Sequence, residues 1–256
     1  MDYITGAHGF IGSHLYKRLP NAIPVPRYAR AIGANGDRVF LLGTYGNRYG
    51  QNDIAEMIRV NVPREVYGHI VYVSSSSVHL EVQTPYSHTK KAAEEVLLAQ
   101  GEHCIVRPYT VVGTGDHSHL IPELIESCLT GKEMDFVPWP EHDYIDVEDV
   151  VDAILTLPPG IHEVGSGIGR TNQQVRDMVE QITGKKANVR IVGGLRPYDT
   201  KNWRAPFCAA RKSLEQSISE MVAAREADTG HLLQEGAVSH WVLPDGGMDY
   251  RANISC

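Results

Sequence analysis

Cysteine is scarce and scattered in this 256-residue chain. Cys104, Cys128, Cys208 and Cys256 form no CxxC pair, so neither a disulfide framework nor a zinc site is indicated, and no metal is expected. Long apolar runs are also missing, so no segment reaches the length of a membrane span. The first residues, MDYITGAHGF, lack a basic stretch followed by an apolar one. The expectation from these absences is a reduced, cytoplasmic protein without a membrane partner. A basic excess is absent too: 24 Lys and Arg stand against 31 Asp and Glu, a net charge of −7. That balance opposes a nucleic-acid surface but leaves room for a local basic site that takes a small anionic substrate.

What is present has the composition of a folded enzyme-sized domain. Hydrophobic residues make up 42% and charged residues 21%, near the average for globular proteins. No internal repeat or low-complexity tract interrupts the chain, and its length fits one large domain with or without a small second one. A short lead precedes TGAHGFIG, and IGSHLYKRL follows with Ile11, Leu15 and Leu19 at helical spacing, which reads as strand, turn and helix. AIPVPR (22–27) is a candidate second strand that Pro24 and Pro26 leave with little ladder capacity. RVFLLGT (38–44), HIVYVSSSS (69–77) and CIVRP (104–108) read as strands. Helices are expected over 87–101, in LIPELIESCLTG and VEDVVDAILTL, and over 171–184, where Thr171 is the cap. Alternation of strands and helices implies a mainly parallel α/β sheet. The last stretch, residues 229–256, has no clear period and is left unassigned.

Two patterns carry chemistry. Gly6, Gly9 and Gly12 form GxxGxxG between a strand and a helix. Backbone N–H groups in such a turn can approach a pyrophosphate, with the helix dipole in support, although an ordinary tight turn is the plainer alternative. Tyr86 and Lys90, four apart at a helix start, can share one face. A phenol ordinarily titrates near pH 10, and a neighbouring ammonium favours its phenolate, so Tyr86 can exchange a proton with a sugar hydroxyl or carbonyl. Ser74 to Ser77, just upstream, offer a hydroxyl to the same oxygen.

TGAHGFIGSHL, VYVSSSSV, YSHTK, RPYTVVGTGD, DYIDVEDVVDAI and EVGSGIGRTNQQV, in that order, resemble the extended short-chain dehydrogenase/reductases of the nucleotide-sugar epimerase/dehydratase family. The resemblance runs from residue 3 to about residue 225, since RPYDTKN and KSLEQSISEMV match closing segments. It implies a doubly wound Rossmann domain, residues 1–110 with part of 140–170. A small C-terminal substrate-binding part would span 111–139 and 170–228. It also implies NAD or NADP, a nucleoside-diphosphate sugar, and a homodimer. Carried over by position, Gly6, Gly9 and Gly12, with Phe10 and Ile11 between them, would bind the cofactor. Tyr86 would be the acid/base, with Lys90 holding the nicotinamide ribose and lowering the Tyr86 pKa. Ser75 would polarise the oxygen, with Ser76 as the neighbouring alternative. Arg196 would bind substrate phosphate, and Thr110 stands where the family often has asparagine.

The departures are as informative. No carboxylate follows the second strand; VPRYAR offers Arg27 and Arg30. An arginine there suits the 2′-phosphate of NADP, which makes NADP the preferred cofactor over NAD, unless Arg27 is merely a solvated strand-end residue. The stretch between Arg27 and Phe40 is too short for a crossover helix and another strand. One helix and its strand are expected to be missing. The stretch from Ser75 to Tyr86 is cut as well, so a trimmed member with a more open active site is expected. Ser76 and Ser77 stand where 4,6-dehydratases resemble one another in carrying an acid pair, which disfavours dehydration. SHLIP (118–122) is similar to the GDP-L-fucose synthase segment holding a catalytic histidine, and His119 would fall on it. The alternative for His119 is a residue lining the sugar pocket. His142 replaces a usual arginine. The reading is an epimerase or ketoreductase acting at a hexose carbon. Its rival is a non-catalytic NAD(P)-binding relative, a redox sensor or scaffold.

Overall fold

The apolar strands and amphipathic helices build a six-stranded parallel sheet with a second, smaller core beside it. The computed structural model describes residues 1–29, 31–47, 50–117, 119–195, 197–200, 204–206 and 209–234. In chain order the first half runs β1 (Asp2–Thr5), α1 (Phe10–Arg18), β2 (Ile23–Val25), β3 (Ala31–Ile32), β4 (Arg38–Leu41), α2 (Ile54–Asn61), β5 (Glu65–Val66) and β6 (His69–Val73). A 3-10 turn (Ser76–His79), α3 (Pro85–Gln100), β7 (Cys104–Pro108), β8 (Thr110–Val112), α4 (Leu120–Thr130) and β9 (Met134–Phe136) follow. Then come β10 (Glu141–Asp146), α5 (Val147–Thr156), β11 (Gly160–Val164), β12 (Gly169–Thr171), α6 (Asn172–Thr183), β13 (Val189–Ile191), a second 3-10 turn (Pro197–Thr200) and α7 (Leu214–Gln234).

The large sheet has the order β11-β7-β6-β4-β1-β2, with every pair parallel. Its central strands are buried on both faces: Val39, Phe40 and Leu41 are consecutive and all lie inside. Phe40 joins Ile4, Leu15, Val106, Val150 and Ile154 under α1 and α5. Val39 and Leu41 join Ile70, Tyr72, Ala93, Leu97 and Ile105 under α3. A separate core of Ile121, Leu124, Phe136, Tyr144, Val175, Val179 and Ile218 is built around α4 and α6.

The trimming expected from the short stretch after Arg27 is observed. β2 is an edge strand that pairs with β1 alone, the position in which its proline is tolerated. Between β2 and β4 the described chain forms no helix, only the two residues of β3, which pair with β5. Three local expectations are adjusted. The strand expected over 69–77 stops at Val73, because the serine run turns into the 3-10 segment. The helix expected from residue 87 begins at Pro85 under a capping box from Thr84 and Ser87. Helix α2, capped by Asp53, was not anticipated.

By its contacts the chain divides into Met1–Val222 and Ala223–Cys256. All the sheets and α1 to α6 belong to the first unit, and the described part of the second is the continuation of α7 to Gln234. Most of the stretch 229–256, from residue 235 on, lies outside the described residues. No described helix is long and apolar enough to cross a membrane.

Candidate active site

The glycine turn is built so that only glycine fits. Gly6 is left-handed, with φ of +67°, and a Cβ there would lie 2.8 Å from the backbone nitrogen of Gly43. A Cβ on Gly12 would stand 1.9 Å from the Gly6 carbonyl oxygen. The first turn of α1 therefore rests directly on the end of β1. Thr5 Oγ1 accepts the N–H groups of Leu42 and Gly43 at 3.0 and 2.9 Å, which ties that end to the end of β4. Gly9 precedes α1 as its cap residue and places no side chain over the helix start. Such a cradle, set before the N–H groups of a helix start, suits a dinucleotide pyrophosphate. Ile11 packs against the core, so its contribution there is its backbone. His14, one turn further, bonds Glu148 at 2.5 Å and the Thr114 carbonyl at 2.8 Å, and fixes α1 to α5 and to the loop after β8.

Ser75 ends the stretch after β6 and caps the 3-10 turn, accepting the Ser77 N–H at 3.1 Å. The Tyr86 phenol hydrogen-bonds to Ser75 and to Thr44. Of the two candidate serines, Ser75 is thus the one joined to Tyr86. Lys90, one helical turn on, is almost fully buried, and its ammonium donates to the Val73 carbonyl at 2.8 Å, 5.8 Å from the Tyr86 ring centre. Glu94 continues the same face of α3. Its carboxylate accepts Ser74 Oγ and a bidentate Arg107, whose third nitrogen reaches Glu163 at 2.9 Å. Glu163 in turn bonds His79 at 2.7 Å. This buried ionic run pins α3, β6, β7 and β11 behind Ser75 and Tyr86.

The electrostatics differ from the expectation that Lys90 lowers the Tyr86 pKa. Burial pushes the Tyr86 phenol up to about 12 despite the opposing bonds to Thr44 and Ser75. Burial likewise pulls Lys90 down to about 7 against the opposing charge of Glu94. The Lys90 ammonium, bonded to the Val73 carbonyl and 5.8 Å from the Tyr86 ring centre, does not offset the burial of the phenol. The lowered lysine has a consequence for stability. An unfolded lysine titrates near pH 10.4, so between about pH 7 and that value the folded chain holds fewer protons and stability rises with pH. Below about pH 7 both states are protonated and the burial cost is constant. Lys90→Met is therefore expected to raise the melting temperature at pH 7 by several degrees and to raise it much less near pH 10. Equal melting shifts at the two pH values would contradict the buried-charge assignment.

The remaining expected residues fall in different places. Arg27 follows β2; its guanidinium is 3.5 Å from Glu56 and 5.2 Å from the Tyr45 ring centre. Thr110 opens β8 with its hydroxyl 3.4 Å from that of Tyr198. His119 caps α4 and bonds Asp116 at 2.7 Å; among the described contacts nothing joins it to Ser75 or Tyr86. Arg196 and Arg30 lie outside the described residues. Tyr198 and Thr44 were not found from the sequence. Tyr198 stands beside Ser76 and Thr110. Among the described residues no group of three His, Cys, Asp or Glu side chains is placed to hold a metal ion.

The parallel sheet and the glycine cradle after its first strand define a Rossmann-type fold. Residues 50–160 match the family described as the NAD dependent epimerase/dehydratase family. No curated protein matches the chain. Among solved structures it is similar to MoeE5 in complex with UDP-glucose and NAD, with 22% identity and a TM-score of 0.75 over 89% of this chain and 99% of the other. It is also similar to the UDP-glucose 4-epimerase of Thermotoga maritima with UDP-glucose, at 17% identity and a TM-score of 0.73 over 90% and 100%. RMD from Pseudomonas aeruginosa complexed with NADPH shares 18% identity and a TM-score of 0.66 over 89% and 99%. At these identities the likeness is one of fold.

Proposed function

We propose that the chain is an NAD(P)-dependent enzyme that moves a hydride at C4 of a nucleotide-linked hexose, most simply as a 4-epimerase. The observation that carries this reading is the Tyr86 phenol bonded to Ser75, with Lys90 beneath it on the same helix face and the glycine cradle after β1. A nicotinamide ring, when bound, supplies the hydride acceptor and donor. Tyr86, as phenolate, takes the proton of the sugar hydroxyl and returns it after the ketone is reduced on its other face. Ser75 donates a hydrogen bond to the same oxygen. Lys90, turned from the Val73 carbonyl towards the phenol and a cofactor ribose, favours the phenolate.

A scaffold or sensor has no use for a buried lysine that costs stability, and this opposes the non-catalytic alternative. The ketoreductase remains a second reading on the strength of Arg27, since NADPH consumption suits an arginine after β2. His119 supports it less, because it is engaged by Asp116. Arg27→Ala is expected to weaken NADPH binding by about 10-fold or more and to leave NADH within about 2-fold, the size of a lost charge-assisted contact. Unchanged affinity for both, measured by fluorescence titration, contradicts a role for Arg27 at the 2′-phosphate. A homodimer belongs to the same reading.

Denaturing the purified chain and identifying the nucleotide it releases tests the proposal. Retained NAD supports the epimerase, and an empty protein that takes up NADPH reversibly supports the reductase. A chain that neither carries nor binds either nucleotide contradicts both.

A further inference from the structure

The second 3-10 turn carries Tyr198 to Ser76, the residue after Ser75. Its hydroxyl stands 3.4 Å from Ser76 Oγ and 3.4 Å from Thr110 Oγ1. Its ring is clamped. On one side it stacks on the His142 imidazole, with centroids 5.2 Å apart and planes at 19°. It also packs with Leu80, Tyr109 and Ala205. Both clamps are themselves fixed. His142 is buried and lies 3.4 Å from Asp199, the residue after Tyr198. Ala205 donates its N–H at 2.8 Å to Asp143, a fully buried carboxylate that also accepts from Ser166 and Gly167.

We propose that Tyr198 is a specificity-determining residue that grips the hydroxyl on the sugar carbon next to the reacting one. The assignment rests on the nucleotide-sugar reading above. Ser75 and Ser76 are consecutive, and each is joined to a different phenol: Ser75 to Tyr86, Ser76 to Tyr198. An oxygen held by Ser75 and Tyr86 therefore has its ring neighbour facing Ser76 and Tyr198. Burial keeps the Tyr198 phenol neutral and able to donate. The bonds of 3.4 Å are longer than the 2.7 to 2.8 Å preferred between hydroxyls, so a sugar oxygen entering between these groups makes shorter ones. A rigid polar group of this kind rejects an analogue that lacks the matching hydroxyl, because its own bond is then left unmade. With reaction at C4, the hydroxyl selected is the one on C3.

The test is calorimetric binding of UDP-glucose and UDP-3-deoxyglucose to the full chain in the presence of NAD, for the wild type and for Tyr198→Phe. The wild type is expected to prefer UDP-glucose by about 10-fold or more, and Tyr198→Phe to bind the two compounds alike. The loss should fall on the hydroxylated ligand alone, whereas a merely structural role would weaken both equally. A preference that survives Tyr198→Phe, or is absent from the wild type, overturns the assignment and leaves the proposed function standing. If neither sugar nucleotide binds although NAD does, the nucleotide-sugar reading fails and this assignment fails with it.

Discussion

Tyr86→Phe is expected to lower kcat by about 10²- to 10⁴-fold, the usual contribution of a positioned acid/base, while KM and cofactor affinity stay close to wild type. The substitution removes one oxygen and leaves the ring in place against Lys90. Ser75 and Thr44 lose a partner but remain at the site. The structure adds a pH signature. Because burial lifts the phenol to about 12, wild-type activity should climb as pH rises from neutral towards the alkaline range, since the phenolate fraction grows. Tyr86→Phe should lose that climb together with the rate. A variant that turns over at the wild-type rate removes Tyr86 from the chemistry.

Arg107→Met is expected to destabilise the fold by about 3 to 5 kcal/mol, because it strips the counter-charge from a buried pair. Arg107 binds Glu94 through two nitrogens and Glu163 through the third. The Glu94 side chain is only 5% exposed and that of Glu163 16%, so both carboxylates would be left in poorly solvated surroundings. The hydrogen bonds to these acids hold the arginine pKa above its ordinary value. Denaturant unfolding measures the loss. The variant should also recover part of its stability as pH falls and the orphaned acids take up protons, the reverse of the usual acid response. A loss below about 1 kcal/mol would mean that the pair behaves like a solvent-exposed one.

Much of the fold was legible because it is written locally. The glycine spacing, the Tyr86 and Lys90 pair and the strong helical period of α6 each depend on residues within a few positions of one another. Even the missing helix after β2 could be counted, since a crossover needs a minimum length of chain. Helix α2 was missed although its start carries a signal, Asp53 accepting the Glu56 N–H; eight residues give too short a period to stand out. The site was legible only on one side. Ser75, Tyr86 and Lys90 come from adjoining segments, whereas Tyr198 meets Ser76 and Thr110 across 122 and 88 residues. Thr44 reaches Tyr86 from the end of another strand. Contacts of that kind depend on how the second core seats its loops, with Asp143 gathering Ser166, Gly167 and Ala205, and no sequence period marks them. The direction of the Tyr86 pKa shift was misjudged for a related reason. Spacing shows that two groups share a face, but burial decides which charge state that face tolerates.

The central claim is hydride transfer at a hexose carbon, and isotope transfer measures it directly. The full chain, with NAD and then with NADP, is incubated with UDP-glucose deuterated at C4, and the sugar and the nicotinamide are recovered and analysed. The account predicts deuterium moving between C4 and the nicotinamide, with transfer abolished in Tyr86→Phe. UDP-glucose recovered unchanged, with no label on either nicotinamide after prolonged incubation at saturating cofactor, would contradict it.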